Sequence, residues 1–450
     1  MKSLGLSRYA LTIGAAAALL AGCSGSQPPI GAPGVMQQTS AIAMRTTSTN
    51  YKIVYSFGGG SDGANPEAGL IGVKGTLYGT TFAGGSYSCT YGNSGCGTVF
   101  SVTLDGTEKV LHDFGTGSDG QNPRAGLVDV GAVLYGTTST GGSGCYISYH
   151  YARCGTVFSI TRGTEKVLYS FTGGSDGAYP HAGLVDVNGT LYGTTESGGG
   201  RGCYESSYSG CGTVFSVTPD GTEKKLHGFD GPYGDGAYPY AGLIDVGSKF
   251  YGTTYYGGRR GYGTVFRITT GGREKVLHSF RRGANGGAPR AGLTDVGGVL
   301  YGTTSHGSTG NSGAVYAITR SGAERVLYLF DGKQGRMPYG NLIEFHNTLW
   351  GTTEQGGVDY GTVFSITTSG ELTTIYSFKG SGKSDGENPF AGLVELNGTL
   401  YGTTEYGGPN NTGTVFSITA AGQENVIYSF GVSSSGDGAH PASALFVYKG

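Results

Sequence analysis

The strings Leu191-Tyr192-Gly193-Thr194-Thr195 and Gly212-Thr213-Val214-Phe215 decide the fold, because both recur along the chain. The first recurs about every 54 residues, with its aromatic residue at Tyr78, Tyr135, Tyr192, Tyr251, Tyr301, Trp350 and Tyr401. The second follows each copy, beginning at Gly97, Gly155, Gly212, Gly263, Gly313, Gly361 and Gly413. Seven copies of one unit indicate a repeat architecture in which neighbouring units complete each other's core.

Each unit contains four strand-like segments. In the third unit they are 183–187, 191–195, 213–218 and 223–229. Asn188-Gly189 predicts a tight hairpin between the first two segments, because it supplies the positive φ angles that such turns need. Pro219-Asp220-Gly221 marks a second turn. No stretch after the N-terminal region has a helical period.

Four short antiparallel strands per unit, repeated without helices, predict an all-β fold, a β-propeller of seven four-stranded blades. A fourth-type strand at 51–57 precedes the first unit, and a first-type strand at 444–448 follows the last. These overhanging strands leave an eight-bladed ring open as an alternative. A β-solenoid is less favoured, because its rungs do not contain hairpin turns.

The N-terminus predicts export. Lys2 and Arg8 precede an apolar run at 9–20 that is too short to span a bilayer as a mature helix. The run ends in Leu20-Ala21-Gly22-Cys23, which resembles a bacterial lipobox. That resemblance implies a signal peptide at 1–22 and a lipidated Cys23. Ser24 at the next position, by resemblance to Gram-negative lipoproteins, favours the outer membrane.

Residues 23–50 are rich in Ser, Gln, Pro, Gly and Thr, which predicts a lipidated flexible tether before a repeat domain at 51–450. The chain is near neutral, with 29 basic and 31 acidic residues, which argues against a nucleic-acid partner. Glycine makes up 90 of 450 residues without a period of three, so the chain is not collagen-like.

The repeated Leu-Tyr-Gly-Thr-Thr and Gly-Thr-Val-Phe strings resemble those of the GloVer-type extracellular tandem-repeat family. The resemblance covers residues 51–450. It implies a surface or extracellular location with varied anchors. It brings no established activity and no catalytic residues.

Loop lengths predict which face of the disc carries function. The turns between first and second strands, and between third and fourth, are short and share one face. The long connections, such as 82–96 and 172–181, share the other, and binding residues concentrate on long loops. Six cysteines lie in these loops, and in an exported protein they predict the disulfides Cys89–Cys96, Cys145–Cys154 and Cys203–Cys211.

The recurring Ser-Asp-Gly loops suggest chemistry that their context does not support. Gly59 to Gly63 and Gly173 to Gly177 match the Gly-x-Ser-x-Gly of serine hydrolases, but no helix follows as that elbow requires. One Asp per loop, as in Asp62 or Asp176, is typical of a turn rather than of a calcium site.

A single functional site is expected where the copies differ. The candidate binding residues on the long loops are His150, Tyr151, Arg153, Arg201, Tyr204, Arg259, Arg260, His306 and Glu354. They include Tyr and Arg, which are enriched at recognition hot spots. The sequence shows no metal-ligand spacing, no cofactor motif and no pair of catalytic carboxylates, so no metal, cofactor or catalytic residue is assigned.

These observations favour a non-catalytic protein of the cell envelope that binds a glycan or protein ligand through its long-loop face. It is expected to be a monomer held at the membrane by the lipid of Cys23. An envelope lyase or hydrolase with a site at the central channel is one alternative, because propeller sites draw residues from several blades. A structural or adhesive surface role is the other.

Overall fold

The computed structural model describes residues 17–19, 41–45, 51–89, 95–116, 118–144, 154–200, 203, 210–231, 234–307, 310–380, 382, 385–431 and 438–449. Each of the seven repeats forms one sheet of four antiparallel strands, and these sheets are the seven blades of a β-propeller, as the repeat predicted. No α-helix occurs among the described residues, and none of their segments is a helix that could cross a membrane.

The strands of the seven blades follow chain order. Blade 1 comprises β4 (Ile71–Val73), β5 (Thr76–Thr81), β6 (Thr98–Thr103) and β7 (Glu108–Asp113). Blade 2 comprises β8 (Val128–Val130), β9 (Val133–Thr138), β10 (Thr156–Thr161) and β11 (Thr164–Ser170). Blade 3 comprises β12 (Val185–Val187), β13 (Thr190–Thr195), β14 (Thr213–Val217) and β15 (Glu223–Gly228). Blade 4 comprises β16 (Ile244–Asp245), β17 (Lys249–Thr254), β18 (Thr264–Thr269) and β19 (Glu274–Ser279).

Blade 5 comprises β20 (Thr294–Val296), β21 (Val299–Thr304), β22 (Ala314–Thr319) and β23 (Glu324–Leu329). Blade 6 comprises β24 (Ile343–Phe345), β25 (Thr348–Thr353), β26 (Thr362–Ile366) and β27 (Leu372–Ser377). Blade 7 comprises β29 (Val394–Leu396), β30 (Thr399–Thr404), β32 (Thr414–Ile418) and β33 (Glu424–Ser429). Beside blade 7, the short strands β28 (Gly386–Glu387) and β31 (Tyr406–Gly407) pair with each other.

Turn chemistry fixes the register within a blade. In blade 3, Asn188 and Gly189 have φ angles of 53° and 82°, which the predicted hairpin requires. Val185 therefore pairs with Tyr192, and Leu191 with Val217. A bulge between Val214 and Phe215 shifts the pairing of β14 with β15. The other blades share this bulge, so it belongs to the repeat.

The hydrophobic core lies between consecutive blades. Leu168 and Phe171 of blade 2 pack against Leu191, Phe215 and Val217 of blade 3. The Phe171 and Phe215 rings meet edge to face, with centroids 5.0 Å apart. Each blade thus buries its apolar face on its neighbour, and every unit needs the same residues at the same positions.

The ends of the chain meet in one further four-stranded sheet, in the order β3 (Tyr51–Ser56), β2 (Ala41–Arg45), β1 (Ala17–Leu19) and β34 (Tyr448–Lys449). Leu445 packs on blade 7, whereas Phe446 and Tyr448 pack on blade 1. The overhanging strands therefore close the ring by lying between the last repeat and the first. We call this sheet the closing sheet.

Two strands of the closing sheet come from segments to which composition assigned other roles. Residues 41–45 lie in the predicted tether but pair with β3, because β3 offers an edge for hydrogen bonding. Ala17–Leu19 lies in the predicted signal peptide and pairs with both β2 and β34. Cleavage before Cys23 would remove β1 from this sheet.

Candidate functional site

The two faces of the disc differ as the loop lengths predicted. Hairpins such as Asn188-Gly189 lie at one end of each blade. At the other end, the connection that enters a blade bridges to the loop after its second strand, as in Ala178 with Ser197 and Ala237 with Tyr256. The long-loop face is therefore a layer of linked loops, and rigid loops suit binding.

The cysteine pairs staple this layer. Disulfides join Cys89 to Cys96 and Cys203 to Cys211, with Cα atoms 5.2 and 5.3 Å apart. These two bonds agree with the predicted pairing of neighbours within one loop. Cys145, the predicted partner of Cys154, lies outside the described residues.

The predicted binding residues fall into three groups. His150, Tyr151, Arg153, Arg201 and Tyr204 lie outside the described residues. Arg259 and Arg260 are exposed on the loop after β17. His306 and Glu354 are partly buried near the ends of β21 and β25. Arg259 and Arg260 are exposed on their loop. Glu354 interacts electrostatically with Arg290 and Tyr339, which belong to the ring of side chains described below.

The carboxylates of the Ser-Asp-Gly loops hold the inter-blade connections together. Asp176 accepts hydrogen bonds from the Thr172 backbone N–H (2.8 Å) and the Tyr169 hydroxyl (3.0 Å). Asp62 and Asp385 have the same partners, a backbone N–H and a tyrosine hydroxyl. These Asp residues are turn residues, as predicted.

A ring of unlike side chains surrounds the axis at the long-loop face. It occupies the position between Pro and Ala-Gly-Leu, or its variant Gly-Asn-Leu, in each unit. We call these the mouth residues: Glu67, Arg124, His181, Tyr240, Arg290, Tyr339 and Phe390. Two positions later in most units stands a glycine, and in some units its backbone lies close to a neighbouring blade. A Cβ on Gly126, for example, would lie 3.1 Å from the Gly69 carbonyl oxygen. Such close approach brings consecutive mouth residues together.

One side of the mouth holds an ion pair and a row of aromatic rings. Arg124 Nη1 lies 2.9 Å from Glu67 Oε2, and its guanidinium carbon stands 4.2 Å from the centre of the Phe82 ring. The His181 ring centre lies 6.0 Å from that of Tyr240. Tyr240 contacts Tyr255 edge to face, with ring centres 5.3 Å apart.

Across the mouth, Arg290 stands over two aromatic rings. Its guanidinium carbon lies 5.2 Å from the Tyr339 ring centre and 5.5 Å from that of Phe390. The two rings are themselves 5.0 Å apart. Arg290 is exposed, and it takes part in none of the four ion pairs found among the described residues. Its edge N–H groups can therefore reach a ligand.

Burial shifts the pKa values of several side chains in and beside the mouth. Burial, with Arg124 and Arg290 nearby, lowers the pKa of His181 to about 4, so its imidazole is neutral at pH 7. Burial and Glu405 raise the pKa of Glu354. Burial and the charge of Glu196 raise the pKa of Tyr240, which stays a hydroxyl donor. The mouth thus offers neutral and charged hydrogen-bonding groups beside aromatic faces.

Sequence reasoning found one member of this cluster, Glu354, and missed the mouth residues themselves. The signal was present, because a variable position stands inside the otherwise constant Pro-x-Ala-Gly-Leu string. The candidate residues were instead predicted on the long loops, and not at this position just before the first strand of each blade, such as β12 or β20. The structure brings five residue types together at that position.

The fold and its mouth define a repeat propeller with one asymmetric polar and aromatic cluster at its axis. The chain belongs to the Gloeobacter/Verrucomicrobia repeat family, whose pattern matches residues 33–207, 153–360 and 349–450. The predicted membership of a GloVer-type family is thereby confirmed. Among curated proteins, no relative matches the chain.

Solved structures with similar chains have low identity. A putative 6-phosphogluconolactonase from Bacteroides fragilis NCTC 9343 is 16% identical with a TM-score of 0.47, over 83% of this chain and 98% of that one. Dipeptidyl peptidase 4 of Porphyromonas gingivalis is 9% identical with a TM-score of 0.47, over 87% and 57%. A functionally unknown protein from Desulfotomaculum acetoxidans DSM 771 is 12% identical with a TM-score of 0.38, over 92% and 97%.

Proposed function

We propose that this chain is an exported, lipid-anchored protein of the cell envelope that binds a saccharide at the mouth of its propeller. The observation that carries the proposal is the ring of unlike side chains around the axis. A repeat protein keeps one residue where every blade needs it, as at the Thr pairs. Seven positions that are equivalent in the fold and differ in chemistry indicate selection for a ligand rather than for packing.

The residue types favour a saccharide. Tyr240, Tyr255 and Tyr339 offer rigid surfaces that are apolar on the ring face and polar at the hydroxyl. The Arg290 guanidinium offers planar N–H groups, and the neutral His181 imidazole offers one donor and one acceptor. A sugar ring presents the matching surface, with an apolar C–H face and hydroxyl groups at its edge. The tests below distinguish a saccharide from the alternative ligand, a protein that inserts a single polar side chain into the mouth.

The test is a screen of oligosaccharides by glycan array, followed by calorimetry with the best ligand. Arg290→Ala and Tyr240→Ala are each expected to weaken binding about 10- to 100-fold, the size of a lost charged hydrogen bond or an aromatic contact. Arg260→Ala is the matched control, because Arg260 is an exposed arginine away from the mouth residues. Equal loss in Arg260→Ala, or no loss in Arg290→Ala, would show that the ligand binds elsewhere. Array and envelope pull-down without any ligand would overturn the proposal.

Catalysis at the same mouth is a second candidate, and the converging His, Arg, Tyr and Glu side chains favour it over a purely structural role. A neutral His181 beside Tyr240 offers a ring nitrogen that accepts a hydrogen bond at pH 7, and its lowered pKa makes it a weak base. Incubation with the bound oligosaccharide distinguishes the two roles. New reducing ends or unsaturated products that vanish in His181→Ala would establish a hydrolase or lyase, whereas an unchanged ligand supports binding alone.

The anchor is tested separately. Lipidation of Cys23 predicts that mass spectrometry of the mature protein finds an acylated N-terminal cysteine after residue 22 is removed. Cys23→Ala is expected to release the chain from the membrane fraction. A membrane-bound Cys23→Ala variant would contradict the lipid anchor without affecting the saccharide proposal.

A further inference from the structure

A second cluster of side chains, which contains none of the mouth residues, lies between blades 3 and 4. His227 on β15, Asp235 on the connection between the blades and Glu274 on β19 each offer one ligand atom, and these atoms all lie within 4.8 Å of one another. His227 Nε2 is 2.6 Å from Asp235 Oδ2. All three residues are partly buried.

The equivalent positions in other units show what residue type and spacing each contribute. His112, Asp119 and Glu165 repeat the residue types between blades 1 and 2, but they do not meet the same spacing among the described residues. Between blades 2 and 3 the trio is Tyr169, Asp176 and Glu223, and the Tyr169 hydroxyl donates to Asp176. A tyrosine hydroxyl keeps its proton at neutral pH and is a poor metal ligand. An imidazole offers a nitrogen lone pair that Zn²⁺ and related ions prefer. The exchange of Tyr for His converts a structural hydrogen bond into a donor set of one nitrogen and two carboxylates.

The carboxylate of Glu274 completes the donor set. Its Oε1 atom is buried and has no hydrogen-bond partner among the described residues, a feature that the equivalent Glu165 and Glu223 share, so the nitrogen donor of His227 is what this trio adds to the repeat. A buried, unpaired carboxylate is unfavourable unless a proton or a cation neutralises it. A cavity of about 440 Å³ reaches Asp235, and its lining also includes Arg259 and Arg281.

We propose that His227, Asp235 and Glu274 bind a divalent transition-metal ion such as Zn²⁺, which joins blade 3 to blade 4. Three protein ligands leave a position for water, as in other three-ligand zinc sites. The site is independent of the saccharide proposal, since it contains none of the mouth residues.

The experiment uses the untagged mature protein, freed of metal by a chelator, and calorimetric titration with Zn²⁺ alone. The wild type is expected to bind one equivalent at this site. His227→Tyr is expected to fold normally, because tyrosine occupies this position in blade 2, and to weaken binding more than about 100-fold. His112→Tyr is the matched control. His112 lies 3.1 Å from Asp119, but its trio does not meet the same spacing among the described residues.

Co²⁺ provides a second readout, because its visible absorption reports nitrogen and oxygen ligation directly. The proposal predicts a spectrum that His227→Tyr abolishes and His112→Tyr leaves unchanged. A folded wild-type protein that binds no Zn²⁺ would overturn it. Binding that survives in His227→Tyr would also overturn it, since the ion would then occupy another site.

Discussion

The two threonines of the repeated pair are predicted to contribute unequally to the free energy of unfolding. In blade 3 the Thr195 hydroxyl donates to the Ser197 carbonyl oxygen at 3.0 Å. The Thr195 hydroxyl oxygen also accepts a hydrogen bond from the Thr213 backbone N–H at 3.0 Å, and it lies 2.8 Å from the Thr213 hydroxyl oxygen. Both side chains are fully buried. Thr195 therefore joins three hydrogen bonds, whereas the single proton of the Thr213 hydroxyl has two acceptors, the Thr195 oxygen and the Asp176 carbonyl oxygen 3.3 Å away.

Thr195→Val keeps the shape of the side chain and removes all three bonds. At about 1 kcal/mol net for each buried hydrogen bond, the free energy of unfolding should fall by about 3 kcal/mol. Thr213→Ala removes the bonding of that one shared proton and two small side-chain groups, so it should cost less, about 1 to 2 kcal/mol. Blade 5 supports the smaller value, because Ala314 already stands at the position of Thr213 while Thr304 keeps its bond to the His306 carbonyl oxygen.

The assay is urea unfolding followed by far-ultraviolet circular dichroism and by the fluorescence of Trp350, the only tryptophan. Trp350 is buried in blade 6, so it reports unfolding away from the substituted blade. Ala314→Thr is the control and should be neutral or slightly stabilising. Equal losses for Thr195→Val and Thr213→Ala would refute the reasoning, because the two hydroxyls would then be equivalent.

Three further predictions test the blades, the loops and the pH dependence. Gly193→Ala should destabilise the fold by about 1 to 3 kcal/mol in urea unfolding, since its Cβ would lie 2.6 Å from the Phe215 ring, whereas Gly183→Ala, with 3.9 Å to its nearest neighbour, should change little. Replacing Cys203 and Cys211 together with Ser should cost up to about 2.5 kcal/mol by the same assay, because the closed loop is short, and unmodified protein should show no free thiol at these positions. Burial raises the pKa of Glu223 to about 7, so the folded state binds more protons than the unfolded state between about pH 4.5 and 7, and stability should fall by about 1 kcal/mol as the pH rises through that window. Glu223→Gln should remove that part of the slope, and an unchanged slope would contradict the assignment.

Particular residues show how far sequence reasoning reached. Asn188-Gly189 predicted its hairpin, and the spacing of Cys203 and Cys211 predicted their bond, because both are local effects within a few residues. The strands at 51–57 and 444–448 predicted an overhang but not its partners. The pairing of β34 with β1 joins residues more than 400 positions apart, and no local pattern encodes it.

The sequence by itself determined the blade, because hydrogen bonding, hairpin turns and alternation act over short distances and were repeated seven times. Only the tertiary structure decided where the differences between blades meet. Arg124 and His181 stand 57 residues apart, and Arg290 stands 109 residues beyond His181. Both arginine charges nevertheless lower the pKa of His181. Ring closure creates that proximity, since it brings the one variable position of every unit to the same place. Packing between consecutive blades places His227 of one blade against Glu274 of the next, which neither repeat reveals alone.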